Sequence, residues 1–167
     1  MTGDPGQIVI RNSETADAGL LCVLLNEIIL SGGTTALEEP LSETRFAHYF
    51  LAGEDHICCL TAEVEDVVWG FQVLVKHVDL PDDCADIATF VRQHPKVPGV
   101  GTALFSSTRE LAAATGLARI NATIRADNAG GLAYYSRMGF QDYARNRDVP
   151  MASGEKVDRI SKRFDIL

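Results

Sequence analysis

The chain has 167 residues with 46% hydrophobic and 23% charged side chains, a composition typical of a globular protein that is long enough to bury a core. Its formal net charge of -8 argues against a dedicated nucleic-acid-binding protein, because contacts with phosphates need clustered Lys and Arg. The same charge leaves room for one local basic site that binds a phosphorylated cofactor.

The first half of the chain predicts a strand, two helices and a β-hairpin. Ser13 and Thr15 are residue types that often cap helices, and the leucines that follow recur at helical spacing until Gly32 ends the pattern. Ser42 is expected to cap the second helix. The predicted elements are a strand over 7–11, a helix ending before residue 32, a helix from 42 to about 51, and strands over 56–63 and 67–78 joined by a tight turn.

The second half alternates strands and helices. Gly116 and Gly139 end two helical patterns, and Asn128 is expected to cap the second of these helices. The predicted elements are strands over 84–91 and 118–124, helices over 101–115 and 128–138, and a final hairpin over 140–147 and 157–167.

The order of these elements predicts the class of fold. The strand, helix and strand between residues 84 and 124 are expected to form a right-handed βαβ unit with parallel strands, and the rest of the sheet is expected to be antiparallel. The sequence therefore predicts an α/β (α+β) fold with a mixed sheet. Without an internal repeat or a linker, we expect a single domain over residues 1–167.

The stretch HPKVPGVGTAL, residues 94–104, connects a predicted strand to a predicted helix. The first N–H groups of a helix lack intrahelical partners and attract anions, and glycine lets a phosphate approach the backbone closely. The stretch lacks the GK[ST] ending of a Walker loop, and Leu104 stands where the Rossmann pattern needs a third glycine. By itself, the stretch is equally consistent with a tight turn that binds nothing.

Residues further along the chain make the pattern more specific. Lys96-Val97-Pro98-Gly99-Val100-Gly101 is followed by Asn128, Tyr135 and Gly139-Phe140 in a fixed order. This arrangement resembles the GNAT superfamily of N-acetyltransferases, whose members carry [QR]-x-x-G-x-[GA] in the loop, then Asn, a Tyr seven residues later and Gly-Phe. Within that superfamily, Asn26 and the later Glu-Pro pair at 39–40 are similar to the phosphinothricin acetyltransferase branch.

The resemblance implies a GNAT-like sheet flanked by helices and acetyl-CoA as cosubstrate, with the pantetheine arm between the fourth and fifth strands. Two departures from the family pattern are expected to weaken or shift the contact with the pyrophosphate. Lys96 replaces a forked donor by a point charge, and Pro98 removes one backbone N–H. The cofactor-binding residues that the resemblance implies are Phe90, Val91, Lys96, Val97, Gly99, Val100, Gly101, Thr102, Asn128 and Tyr135.

Acetyl transfer to an amine needs a group that accepts the proton of the amine and a group that protonates the leaving thiolate. Asp86 matches an acidic position of the phosphinothricin branch and is the candidate base, although it could also be a solvated strand-end residue. Glu38 and Glu39 are candidate substrate-binding residues and, together with water, alternative bases. Tyr135 is the candidate acid, and Tyr134 is expected to point elsewhere around the helix. A backbone N–H near Val91 is suited to stabilise the oxyanion.

The four cysteines, at positions 22, 58, 59 and 84, form no CxxC pair. Cys58 and Cys59 would point to opposite faces of a strand, so a zinc site that combines them with His56 is disfavoured. We expect reduced, mostly buried thiols and no metal site.

These observations favour an acetyl-CoA-dependent N-acetyltransferase that acts on a small-molecule amine, such as an amino acid or an analogue. The alternatives are a non-catalytic module that binds or senses acyl-CoA, and an enzyme that acetylates a protein amine. The resemblance to the phosphinothricin branch also implies a homodimer. No stretch has the length of a transmembrane helix, and the N-terminal residues lack a signal-peptide pattern, so a cytoplasmic location without membrane or nucleic-acid partners is expected.

Overall fold

A seven-stranded mixed sheet with helices on both faces forms the body of the computed structural model, which describes residues 6–166. The strand order is β1-β2-β3-β4-β5-β7-β6. The strands are β1 (Ile8–Asn12), β2 (His56–Val64), β3 (Val67–Val75), β4 (Cys84–Val91), β5 (Arg119–Arg125), β6 (Gln141–Pro150) and β7 (Lys156–Asp165). The helices are α1 (Ala18–Ser31), α2 (Glu43–Phe46, continued by a π-helical turn over Ala47–Ala52), α3 (Val100–Ala114) and α4 (Ala129–Arg137).

The predicted mixed sheet is confirmed. β4 and β5 are parallel and joined through α3, whereas the other neighbouring strands are antiparallel. The β2–β3 hairpin turns at Glu65 and Asp66, whose φ values of 51° and 62° are those of a two-residue turn between strands. Ser42 accepts a hydrogen bond from the Arg45 backbone N–H, so its predicted capping role is also confirmed.

Several local predictions differ from the structure, including the strand predicted over 140–147, which extends to Pro150. The strand predicted over 67–78 ends at Val75, the last residue of β3 that pairs with β4, and Val78 beyond it is almost fully exposed. The Ser13 hydroxyl bonds to that of Thr61 on β2 instead of capping α1. A 3-10 turn over Thr15–Asp17 precedes α1. The last predicted strand ends at residue 165, and residue 167 of that prediction lies outside the described part of the chain.

The core occupies both faces of the sheet. On one face, α1 and α2 cover a cluster that includes Leu25 and Phe46, and on the other, α3 and α4 cover a cluster that includes Phe105 and Ile120. We call these the α1/α2 face and the α3/α4 face. Among the described residues, no helix combines the length and the apolar character needed to cross a bilayer.

The feature that creates a site is the short pairing between β4 and β5. Their backbones pair only from Cys84 opposite Arg119 to Asp86 opposite Asn121. Beyond that point β4 continues along β3, and β5 continues along β7, so the two parallel strands separate. The part of β4 after Asp86 therefore has an edge without a neighbouring strand.

Candidate active site

A cavity of about 670 Å³ occupies the gap between β4 and β5. Its walls come from both faces of the sheet, because the lining includes Val73 and Phe90 from the α1/α2 face and Ile87 and Ile124 from the α3/α4 face. A molecule in the gap would thus reach from one face to the other between two strands.

Residues 96–102, which we call the glycine loop, enter this cavity at the start of α3. Gly99 is the residue before the helix and has a φ of 86°, a left-handed conformation that suits glycine. The Ala103 N–H donates to the Gly99 carbonyl at 2.9 Å, which closes the first turn, and the N–H groups before Ala103 precede this intrahelical ladder. The predicted cofactor residues of the loop that line the cavity are Lys96, Val97, Gly99, Val100, Gly101 and Thr102.

A helix N-terminus with a glycine and an exposed lysine forms an anion-binding geometry. Asn128, also predicted, caps α4 by accepting a hydrogen bond from the Gly131 N–H at 2.9 Å. It lines the cavity as well, and its amide donates to the Thr34 carbonyl at 2.9 Å. Two helix N-termini, those of α3 and α4, therefore border the same cavity.

The unpaired edge of β4 supplies backbone donors to the gap. The Arg92 N–H donates to the Trp69 carbonyl of β3 at 2.8 Å. Because successive residues of a strand direct their N–H groups to opposite sides, the Val91 N–H points away from β3, toward the gap. Val91 and Phe90, both predicted to contact the cofactor, line the cavity. The expected position of an oxyanion donor at Val91 is thus consistent with the backbone geometry.

Tyr134 and Tyr135 both line the cavity, and their rings are 4.9 Å apart. The Tyr135 hydroxyl forms a 2.8 Å hydrogen bond with the Thr89 hydroxyl of β4, in which either group can donate. The Tyr134 hydroxyl donates to the Gly101 carbonyl at 2.7 Å and accepts from Gln72 at 3.1 Å. The expectation that Tyr134 points elsewhere is therefore wrong, since its hydroxyl reaches the glycine loop.

Burial raises the pKa of Tyr135 above its ordinary value, and burial raises the pKa of Tyr134 to about 12. Both phenols therefore carry their protons at neutral pH. The Tyr134 hydroxyl donates its proton to the Gly101 carbonyl, whereas in the bond between Tyr135 and Thr89 either hydroxyl can be the donor, so Tyr135 can keep its proton for another acceptor. Of the two, Tyr135 has the geometry of a proton donor to a group in the cavity.

Asp86 lies where β4 and β5 separate, and its side chain is part of the cavity wall. The Asn121 amide donates to Asp86 at 2.8 Å, and the Tyr143 hydroxyl donates to the carbonyl oxygen of the same amide. Desolvation by burial raises the pKa of Asp86, while the hydrogen bond from Asn121 opposes that shift. Asp86 is consequently a half-buried, oriented carboxyl group rather than a solvated strand-end residue.

The loop between α1 and α2 covers part of the cavity and is fastened at several points. Arg125 donates to the Thr35 carbonyl at 3.2 Å and forms a two-pronged ion pair with Asp127. The amide of Asn26 bonds to both the N–H and the carbonyl of Leu41, at 2.8 and 2.9 Å. Asn26, noted above for its similarity to the phosphinothricin branch, thus holds the end of this loop.

Glu38 and Glu39 are outside the cavity lining. The carboxylate of Glu38 accepts hydrogen bonds from the backbone N–H groups of Ala152 and Ser153 in the β6–β7 turn, and these bonds lower the pKa of Glu38. Glu39 is exposed. These contacts give Glu38 a role in fastening the loop, and contact of either residue with a substrate stays a prediction.

The cysteines lie in the core and outside the cavity. Cys59 packs in the cluster on the α1/α2 face, and Cys58 packs against the cluster on the α3/α4 face, as expected for neighbours in a strand. Burial raises the pKa of Cys59 to about 12, which keeps this thiol protonated at neutral pH. All four cysteines are free thiols.

Two cavity residues, and two residues that hydrogen-bond to the cavity wall, were not among the predicted site residues. Thr89 and Arg125 occupy ordinary strand positions, and only the separation of β4 from β5 brings them to a cavity. Asn121 and Gln72 offered a weak signal, because polar amides in strands that are otherwise apolar need buried partners.

Comparisons with known proteins agree with this geometry. The family model for the acetyltransferase (GNAT) family matches residues 25–140, more than half of the chain. Comparison with curated proteins gave no match.

Many solved structures have a similar fold, and three of them illustrate the similarity. One is a GNAT superfamily phosphinothricin acetyltransferase from Sinorhizobium meliloti in complex with AcCoA (19% identity, 95% of this chain, 88% of that chain, TM-score 0.82). Another is yncA, a putative acetyltransferase from Salmonella typhimurium with its cofactor acetyl-CoA (19% identity, 96% of this chain, 94% of that chain, TM-score 0.81). The third is a ribosomal-protein-alanine N-acetyltransferase from Brucella melitensis (18% identity, 94% of this chain, 99% of that chain, TM-score 0.82). At these identities the similarity shows a shared fold.

Proposed function

Since the protein belongs to the GNAT family of acetyltransferases, we propose that it transfers the acetyl group of acetyl-CoA to the amine of a small molecule, such as an amino acid or an analogue. The observation that carries this proposal is the gap between β4 and β5. It combines an anion-binding loop, a free strand edge, a carboxyl group and a buried phenol in one cavity. We further propose that residues 1–167 act as a single N-acetyltransferase domain.

Acetyl-CoA is the cosubstrate in this proposal. The N–H groups at the start of α3 would bind the pyrophosphate, with Lys96 as a countercharge. The free edge of β4 offers backbone hydrogen bonds to the amide groups of the pantetheine arm, in the way that a missing neighbouring strand would. This arrangement would bring the thioester to the middle of the gap, between Asp86 and Tyr135.

The reaction forms a C–N bond and breaks a C–S bond. Asp86 would accept the proton of the attacking amine, directly or through one water molecule. The Val91 N–H would donate to the thioester oxygen as its negative charge develops. Tyr135 would give its proton to the departing sulfur, and this transfer balances the proton that Asp86 gains. Glu38, Glu39 and water remain alternative acceptors of the amine proton.

The acetyl acceptor in this proposal is a small-molecule amine, and the alternative is an amine of a protein. The similar structures include a phosphinothricin acetyltransferase and a ribosomal-protein-alanine acetyltransferase, so the fold alone does not select small molecules over proteins. Asn26 and the Glu-Pro pair at 39–40 support a place in the phosphinothricin-like branch. The enclosing loop between α1 and α2 also favours a small acceptor, because it covers the cavity from one side.

Two measurements test the proposal. Desulfo-CoA should raise the melting temperature, and acetyl-CoA mixed with a panel of amines should release free thiol. A temperature rise without thiol release from any amine or lysine-containing peptide would favour a non-catalytic sensor of acyl-CoA. The absence of any temperature rise would contradict a CoA site in this cavity.

A further inference from the structure

The two sides of the cavity differ in chemistry. On the α3/α4 face, the wall is made by the glycine loop, the tyrosines of α4 and two basic side chains, Lys96 and Arg137. On the α1/α2 face, the cavity has an apolar wall. Its side chains are Ile28, Leu37, Phe50, Val73, Val75, Ala88 and Phe90, all of them part of one hydrophobic cluster or packed against it, while the loop after α1 also adds Thr34, Thr35 and Ala36 to the lining.

The apolar wall is rigid where it meets the core. The rings of Phe50 and Phe90 are 6.2 Å apart, and both pack on Phe71, with centroid distances of 6.2 and 5.0 Å. Phe71 is fully buried, so it holds the two rings from behind. Aromatic side chains packed in this way keep a fixed apolar surface toward the cavity.

One negative charge faces this apolar wall. Among the described residues that line the cavity, Asp86 is the one acidic side chain, and it pairs across the strands with Val75. An ammonium group beside Asp86 would have a counterion until it loses one proton to solvent and becomes the attacking amine, and the carbon skeleton attached to it would lie along the wall. Polar groups on that skeleton would lose water without gaining partners there.

Two basic residues line this side of the cavity, and one of them is already engaged. All three guanidinium nitrogens of Arg125 bond to Asp127 or to the Thr35 carbonyl. Arg159 also lines the cavity, directly across from Arg125 in the β5–β7 pairing. A carboxylate next to the amine of the acceptor could approach Arg159, so amino acids and simple amines both belong in a test of the wall.

We propose that the acceptor is a primary amine with a compact apolar body, branched aliphatic or aromatic, whose ammonium group lies at Asp86 and whose body packs on the Val75–Ala88–Phe90 wall. This inference rests on the proposed acetyl-transfer function and deepens it. It also predicts that acceptors with an apolar carbon skeleton are preferred over those with a polar one. The fold by itself does not make this distinction.

Pairs of amines with the same shape and different polarity test the wall directly. 3-Methylbutylamine and β-alaninamide have the same chain length and branching, but one ends in two methyl groups and the other in an amide. Leucine and asparagine form the corresponding pair with an α-carboxylate. Within each pair, kcat/KM from thiol release should be at least about tenfold higher for the apolar member, because the amide would be buried without partners.

A substitution in the wall supplies a second test. Val75→Thr keeps the shape of the side chain and adds a hydroxyl, so it should lower kcat/KM for 3-methylbutylamine about three- to tenfold and narrow the preference over β-alaninamide. Val67→Thr is the matched control on the same strand, because Val67 is 46% exposed and outside the cavity lining. Both variants should keep the melting-temperature rise with desulfo-CoA.

The possible outcomes separate this inference from the proposed function. Equal or higher kcat/KM for the polar member of both pairs would overturn the apolar acceptor while leaving acetyl transfer intact. Thiol release with a lysine-rich peptide but with neither pair would also overturn it, in favour of a protein acceptor. Desulfo-CoA binding with no thiol release from any acceptor would overturn acetyl transfer itself, and the apolar acceptor with it.

Discussion

At the scale of single residues, two neighbouring tyrosines have different uses for their hydroxyl groups. Tyr134 ties α4 to the glycine loop through the Gly101 carbonyl, and Tyr135 reaches Thr89 on the free edge of β4. Thr89 also accepts a hydrogen bond from Gln72 at 2.8 Å, so it can use its own proton to bond the Tyr135 oxygen. That arrangement would leave the Tyr135 proton directed at the cavity.

Tyr135→Phe should lower turnover about 10- to 1000-fold, because it removes one positioned proton donor. The ring and its packing remain, and Thr89 keeps Gln72 as a partner, so the melting temperature and desulfo-CoA binding should stay near those of the unaltered protein. The measurement is kcat under conditions where chemistry is rate-limiting.

The control for this substitution is Tyr49→Phe, because Tyr49 is 51% exposed and outside the cavity lining. Tyr134→Phe is unsuitable as a silent control, since it removes the bond to Gly101. Equal turnover for Tyr135→Phe and Tyr49→Phe would remove Tyr135 from the mechanism.

Asp86→Asn should lower turnover at neutral pH without loss of desulfo-CoA binding, because an amide cannot accept the proton of the amine. The raised pKa of Asp86 places the acidic limb of kcat/KM above the ordinary Asp value of about 3.9, and activity should appear as pH rises through that pKa. The measurement is the pH–rate profile. An unchanged profile in the variant would transfer the role of base to Glu38, Glu39 or water.

The same raised pKa has a consequence for stability. The folded protein binds the proton of Asp86 more tightly than the unfolded chain does, so the contribution of this group to stability is greatest at low pH and falls as pH rises through the folded pKa. At neutral pH, Asp86→Asn should therefore leave the melting temperature unchanged or higher. Such a result would agree with a carboxyl group kept for function at some cost in stability.

At the scale of secondary-structure elements, some features follow from the local sequence and others depend on how the elements are assembled. The bounds of β4, the glycine loop and the Asn128 cap follow from neighbouring residues, and each is recognisable in the sequence. The early end of the β4–β5 pairing is different, because nothing in the apolar run of β4 records where its parallel neighbour turns away. The resemblance implied a cofactor between these strands, but the length of the free edge and the lining of the cavity came only with the structure.

The side-chain contacts that the sequence did not predict depend on the same tertiary geometry. Glu38 bonds to a turn 114 residues later in the chain, and Tyr134 bonds to a loop 33 residues earlier. Helical spacing locates such residues on an element but carries no information about which distant backbone group they meet. Contacts of this kind became visible only once the elements were assembled.

The glycine loop offers a test of the anion site that leaves the packing intact. Gly101 is a poor position for it, because an added Cβ would lie 2.7 Å from the Tyr134 ring and would disturb two features at once. Lys96→Glu changes only an exposed charge at the cavity. It should weaken desulfo-CoA binding about tenfold and reduce the dependence of that binding on salt concentration, because one contact of opposite charge is lost.

Lys156→Glu makes the same charge change at an exposed residue outside the cavity lining. It should leave the Kd for desulfo-CoA, measured by calorimetry, within about twofold of the original. If Lys96→Glu and Lys156→Glu bind desulfo-CoA equally well, the phosphates do not lie at Lys96.

At the scale of the whole molecule, distant parts of the chain support one cavity. The loop after α1 is fastened to Asn128 at the start of α4 and, through Glu38, to the β6–β7 turn. The α1/α2 face supplies the apolar wall, and the α3/α4 face supplies the loop and the phenols. A shift of the β6–β7 hairpin should therefore move this loop, and with it the apolar wall of the cavity on the α1/α2 face.

Assembly is the property of the whole molecule that remains a prediction, and the similarity to the phosphinothricin branch implies a homodimer. Association that is specific to the folded state stabilises it by mass action, so the melting temperature should rise as protein concentration increases from about 1 to about 100 micromolar. Sedimentation velocity over the same range should show a species of twice the 18.1 kDa chain mass.

Each chain has a net charge of -8, so added salt should favour the dimer by screening the repulsion between subunits. A single species of one chain mass at every concentration and salt level, with a constant melting temperature, would show that the protein is a monomer and that each cavity is complete within one chain.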